Sequence, residues 1–158
     1  MFNSLIIRRA EENDCEELLE VLYKAFKQYK KHYPPKAFSD TVLTPKTIKK
    51  RLIEMIVYVA ISPEKTIVGT IGWGKINKKV GHIRGMAVHP DWQGKGIGTY
   101  MLKKVENDAQ EAKCSVLTLN TTKILQRAQG FYKRHGYLQT GKISDFLGIP
   151  VYEFAKKL

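Results

Sequence analysis

Val88-His89-Pro90-Asp91-Trp92-Gln93-Gly94-Lys95-Gly96-Ile97-Gly98-Thr99 joins a strand-like segment to one of helical periodicity. Glycines at 94, 96 and 98 remove every second side chain, so backbone N–H groups approach an anion closely and positive φ is tolerated. A helix starting near Ile97 adds its unpaired N–H groups and the positive end of its dipole. Lys95 supplies a further charge. The combination reads as a cradle for a pyrophosphate. Two common phosphate motifs are excluded. No Gly-Lys pair is followed by a hydroxyl residue, as a Walker loop requires. The spacing Gly94-x-Gly96-x-Gly98 is wrong for a dinucleotide fingerprint, and the next strand ends in Asn120 rather than an acid.

Working outward from the loop, Ser4–Arg8 reads as a strand and Asn13 or Asp14 as the cap of a helix carrying Leu18, Leu19, Leu22, Ala25 and Phe26 at helical spacing. That helix fades near Tyr29, before Pro34-Pro35. Thr44-Pro45 starts a second helix over roughly 45–54. Val57–Ile61, Thr66–Trp73 and Val80–Val88 are β-rich runs separated by turn residues. After the loop, Ile97, Met101, Val105, Ala109 and Ala112 mark one helix face. Val116–Leu119 reads as a strand, about 125–135 as a helix, and 137–143 and 150–156 as closing strands. The order βααβββαβαββ implies a mixed sheet covered by helices, an α/β (α+β) fold in which residues 1–158 form a single domain.

Composition narrows the function classes. The longest unbroken apolar run, Met55–Ile61, has seven residues, whereas a membrane span needs ~20. The N-terminal Leu5-Ile6-Ile7 is too short for a signal-peptide core. Cys15 and Cys114 form no Cys-x-x-Cys pair, which speaks against a zinc ribbon or disulfide scaffold and fits a cytoplasmic location. The net charge is +12, and the first twenty residues hold six acids and two arginines, leaving the rest at +16. Such an excess favours a polyanion or a phosphate-rich small molecule, or is simply a solvated surface.

Gln93-x-x-Gly96-x-Gly98, preceded by Met86-Ala87-Val88-His89-Pro90, resembles the acyl-CoA-binding motif of the GNAT superfamily of N-acetyltransferases. Thirty residues beyond Gly98, Ala128-x-x-Phe131-Tyr132-x-x-x-Gly136-Tyr137 resembles that family's other common motif. The resemblance implies a twisted, largely antiparallel mixed sheet of about seven strands flanked by about four helices. It implies acetyl transfer from acetyl-CoA, a cosubstrate, to a primary amine of a small molecule or peptide by direct attack, with no metal. The strand before the loop is expected to bulge. The pantetheine arm then pairs with main-chain groups of Met86, Ala87 and Val88, and the pyrophosphate lies on the N–H groups of Gly94, Lys95, Gly96, Gly98 and Thr99. Gln93 shapes the loop. Asn120 either bonds to the cofactor or closes its strand.

The resemblance places Tyr132 at the family's usual general acid, toward the leaving thiolate, with Phe131 facing the core. Leu125 replaces a frequent asparagine, so that contact is either missing or supplied elsewhere, by Lys123 or Gln126. No carboxylate precedes the loop in Gly81–Met86, so the base is His82 or a water chain. Cys114 reads as packing. Tyr33-Pro34-Pro35 and Ser144–Pro150, with Asp145, Phe146 and Tyr152, border the acceptor by resemblance, and the basic surface disfavours polyamines. The partners are thus acetyl-CoA and an amine acceptor, with no membrane; a homodimer is compatible. A non-catalytic CoA-binding module would lack Tyr132. A nucleic-acid-binding protein would order its Lys49-Lys50-Arg51, Lys78-Lys79, Lys103-Lys104 and Lys133-Arg134 clusters into a recognition pattern, and they are scattered.

Overall fold

Strand-forming and helix-forming patterns alternate along the chain, and the computed structural model, which describes residues 5–158, folds them into one sheet. The strands are β1 (Ile6–Arg9), β2 (Ile56–Ile61), β3 (Ile67–Lys75), β4 (Val80–Val88), β5 (Val116–Thr121), β6 (Leu138–Phe146) and β7 (Ile149–Lys157). Their spatial order is β1-β2-β3-β4-β5-β7-β6. Every neighbouring pair is antiparallel except β4–β5, which the glycine loop and a crossover helix join in parallel. Ser4, the expected start of the first strand, lies outside the described residues.

The helices are α1 (Cys15–Phe26), α2 (Pro35–Val42), α3 (Pro45–Glu54), α4 (Ile97–Glu111) and α5 (Gln126–Arg134). Helix α2 was not foreseen. Pro34-Pro35 ends the preceding turn, as expected, but Pro35 also opens a new helix at its first position, where no N–H is needed. Thr44 caps α3 as anticipated, accepting from the Thr47 N–H at 3.2 Å. Asp14 does not cap α1. A 3₁₀ turn at Glu12–Asp14 runs directly into that helix, and the Asp14 carboxylate instead accepts from the Glu11 N–H at 2.7 Å.

Period-2 alternation sends Tyr58 and Ala60 to one face of the sheet and Val59 to the other. The first face packs on Ile97, Met101, Val105 and Ala109 of α4, the second on Leu18, Leu22, Ala37 and Ile48 of α1–α3. Strand β4 breaks its own parity. Ile83 packs on the α4 side while Ala87, four residues later, packs on the α1–α3 side. An extra residue explains this: Gly72 pairs with Arg84 but Thr70 with Ala87, and Gly85 takes φ +67° in the resulting bulge.

The Arg8 guanidinium donates two hydrogen bonds to Asp14, at 2.8 and 2.9 Å, tying β1 to the start of α1. These bonds hold the Asp14 carboxyl below its ordinary pKa. A lowered folded-state pKa means that this stabilisation is present above the unfolded carboxylate value, ~3.9, and fades as pH falls through the folded one. Asp14→Ala should cost about 1–3 kcal/mol at neutral pH. The deficit relative to wild type should shrink in acid-side thermal melts; a constant deficit would remove the ion pair as its cause.

Candidate active site

Strands β4 and β5 pair only from Val80↔Val116 to Ile83↔Leu119. Beyond Ile83 the two diverge, because the bulge at Gly85 redirects β4 while β5 continues to Thr121. A cavity of ≈ 790 Å³ occupies this opening, lined by the rest of β4, the glycine loop, the end of β5 and one side of α5. Its volume suits an extended small molecule, not a flat polyanion surface. The crevice lies at the carboxyl ends of the parallel pair, where open α/β sheets commonly bind ligands.

The loop geometry follows the glycine reading. Gly94 and Gly96 take φ +77° and +87°, a region that favours glycine. Helix α4 begins at Ile97, so the N–H groups of its first turn have no partner within the helix. An added Cβ at Gly98 would come within 3.0 Å of Met86 Cε and 3.2 Å of Phe131 Cζ, so the helix start packs tightly on β4 and α5. Gln93 clamps the loop. Its amide N–H donates to the Val88 carbonyl at 3.0 Å, and its carbonyl accepts from Arg127 at 2.9 Å.

Most of the residues read from the sequence meet here. His82, Met86, Ala87, Val88, Gln93, Gly94, Gly96, Gly98, Thr99, Asn120 and Tyr132 all line the cavity. Lys95 does not; its ammonium stands over the Trp92 ring, 5.4 Å from the centroid. Asn120 does not close its strand, which runs one residue further to Thr121. The Thr99 hydroxyl is 3.0 Å from His135 Nε2, and His135 Nδ1 lies 2.8 Å from the Phe131 carbonyl. The Nδ1 proton therefore goes to that carbonyl, and Nε2 accepts from Thr99.

Tyr132 is 8% exposed, and its hydroxyl donates toward Met86 Sδ at 3.3 Å inside the cavity. Burial pushes its pKa up, so the phenol stays neutral. The expected division between the two aromatics of α5 is corrected. Tyr132 is the more buried ring, edge-on to Tyr137, while Phe131 is only partly buried and stacks near His135. A tyrosine satisfies both demands, with its ring in the core and its hydroxyl at the cavity wall.

His82 Nδ1 lies 2.7 Å from Thr118 Oγ1, and the Thr118 hydroxyl donates to the Gly81 carbonyl at 3.4 Å. A hydroxyl has one proton. Giving it to Gly81 makes His82 Nδ1–H the donor in the shorter bond and leaves the lone pair on Nε2. Burial, followed by the charge of Arg84, lowers the His82 pKa and favours neutral imidazole.

The acceptor border is corrected as well. Ser144–Pro150 is no loop: β6 extends to Phe146, β7 starts at Ile149, and Leu147-Gly148 make the turn. Asp145 accepts from the Gly148 N–H at 3.2 Å to close that turn. Tyr33 and Phe146 line the cavity; Asp145 and Tyr152 do not. Neither Lys123 nor Gln126 lines the cavity, whereas Leu125 and Arg127 do. Cys114 is buried in the core. Arg51 and Arg84, which the motif reading does not single out, also line the cavity. Among the described residues no cluster of His, Cys, Asp or Glu is placed to hold a metal ion, and no helix is long and apolar enough to cross a membrane.

The sequence model of the Acetyltransferase (GNAT) family matches residues 15–137. An uncharacterized N-acetyltransferase of Methanocaldococcus jannaschii is 38% identical over 72 residues, a match spanning 45% of this chain and 43% of that protein. Among solved structures, the PaiA N-acetyltransferase from Thermoplasma acidophilum in complex with coenzyme A superposes with a TM-score of 0.81 at 18% identity, over 98% of this chain and 99% of that one. A GNAT-family acetyltransferase from Staphylococcus aureus Mu50 gives 0.78 at 21% identity, over 98% and 99%. The ribosomal-protein-S18-alanine N-acetyltransferase of Escherichia coli gives 0.77 at 14%, over 97% and 93%. At these identities the structures establish the fold, and the sequence match over most of the chain establishes kinship: this chain belongs to the GNAT acetyltransferase family.

Proposed function

We propose that this chain, acting as a single domain, uses His82 and Tyr132 to move the acetyl group of acetyl-CoA directly onto a primary amine. Membership of the family makes it an acyltransferase with acetyl-CoA as cosubstrate. The observation that carries the residue assignment is the shared cavity. It joins the unpaired end of β4, the glycine loop, a neutral histidine and a neutral tyrosine.

The Met86–Val88 main chain faces a gap with no strand beside it, which suits an extended ligand pairing as a strand would. The first N–H groups of α4 and the loop suit a pyrophosphate. An alkylammonium has a pKa of ~10.4, so the acceptor must lose a proton before its nitrogen attacks the thioester carbonyl. His82 Nε2 takes that proton. The carbon–nitrogen bond forms, the carbon–sulfur bond breaks, and the Tyr132 hydroxyl gives its proton to the departing sulfur; the second proton leaves the nitrogen as the amide forms and restores the phenol, and the proton on His82 passes to solvent. The products are an N-acetyl amine and free CoA thiol.

His82→Gln tests the base. With the same amine, wild-type kcat/KM should rise with pH through an inflection below the ordinary histidine value of ~6.5, since burial and Arg84 disfavour imidazolium. The variant should lose that inflection and about 10²-fold in rate. A parallel curve with a small drop would favour a water chain instead.

A further inference from the structure

Helix α3 buries Ile48 and packs Leu52 against the core, and Arg51 stands on that same stripe. Its neighbours Lys49 and Lys50 point outward, to Glu12 and Glu54 at 3.7 Å each. Arg51 instead lines the cavity. Its Nη1 occupies space beside Gly85, only 2.6 Å from where a Cβ there would be. The glycine of the bulge thus makes room for the guanidinium. Among the described residues, no carboxylate lies within 4.0 Å of Arg51 and no acceptor takes a hydrogen bond from its guanidinium. Burial and the adjacent Arg84 bring its pKa down to about 10, still cationic at neutral pH. A half-buried, unpaired guanidinium is costly and calls for an anion.

Arg84 adds to the demand. It bonds Asp40 at 3.2 Å, so two arginines share one acid at this end of the cavity. His82 and Arg84 are two residues apart in β4, ahead of the bulge, and project to the same face of the sheet. Phe26, Tyr29 and Phe146 give the neighbouring wall an apolar character. Arg51 and Arg84 thus offer guanidinium donors to a carboxylate in the same cavity that holds a base for an amine.

We infer that the acceptor is an amine that also bears a carboxylate, gripped by Arg51 with Arg84 beside it. This rests on the acetyl-transfer reading above and narrows its acceptor class. The test compares glycine, β-alanine and 4-aminobutanoate with their carboxamides, reading kcat/KM by thiol release. At least one acid should exceed its amide by ten-fold or more, chiefly through KM. Arg51→Gln should bring that ratio close to one, and Arg51→Lys should restore part of it. The acetyl-CoA thermal shift, measured on each variant, confirms folding and should be retained. Amides equal to or better than all three acids, or a ratio indifferent to Arg51→Gln, would overturn the inference. So would failure of every acid with the thermal shift intact, which leaves the cofactor reading standing. Loss of both the shift and thiol release in wild type would remove that reading itself.

Discussion

Tyr132→Phe should lower turnover ~10²–10⁴-fold while acetyl-CoA affinity changes little. The ring contributes to the core against Tyr137 and Phe131, and phenylalanine keeps that packing. Only the hydroxyl is lost, and its one partner among the described residues is the weak acceptor Met86 Sδ. Little stability should follow it. Steady-state thiol release and a cofactor titration on the same preparation separate the two effects. Retained turnover would make Tyr132 a packing residue and leave the leaving group without an assigned donor.

Gly96→Val should abolish acetyl-CoA binding. Wild-type protein should gain ~2.7 kcal/mol at a hundredfold excess of ligand over its dissociation constant. Losing that shift requires an affinity loss of about 10²-fold or more. Gly96 holds φ +87° at the N-cap of α4, so a branched side chain both strains the turn and screens the first N–H groups of the helix. The apo variant should therefore melt somewhat lower, at a strain cost of about 1–3 kcal/mol. A variant that folds and still shows the full ligand shift would take the loop out of the mechanism.

The fold was largely legible because its long elements carry strong periodicity. The α4 stripe from Ile97 to Ala109 is buried as spaced, and β4 runs over Val80–Val88 as read. What escaped was governed by local competition. A proline that ends one helix can begin another, which hid α2. Ser144–Phe146 read as part of a loop because β6 is exposed along nearly its whole length, leaving no alternation to detect. At the site, main-chain roles were legible from glycines and spacing, but side-chain destinations were not. Lys49-Lys50-Arg51 looked like one surface cluster, and only its third member turns inward. The available signal was a charged residue on the apolar stripe of Ile48 and Leu52. Arg127 and His135 gave no comparable cue, since their partners Gln93 and Thr99 lie more than thirty residues away.

Incubating the purified protein with acetyl-CoA carrying an isotopically labelled acetyl group and an amine-containing cell extract tests acetyl transfer most directly, with products weighed by mass spectrometry. The label should appear in an N-acetylated amine, in one-to-one stoichiometry with free CoA thiol, and both should fall together in Tyr132→Phe. Label found only in free acetate, or thiol release that no amine accelerates, would contradict the assignment of this cavity as an N-acetyltransferase site.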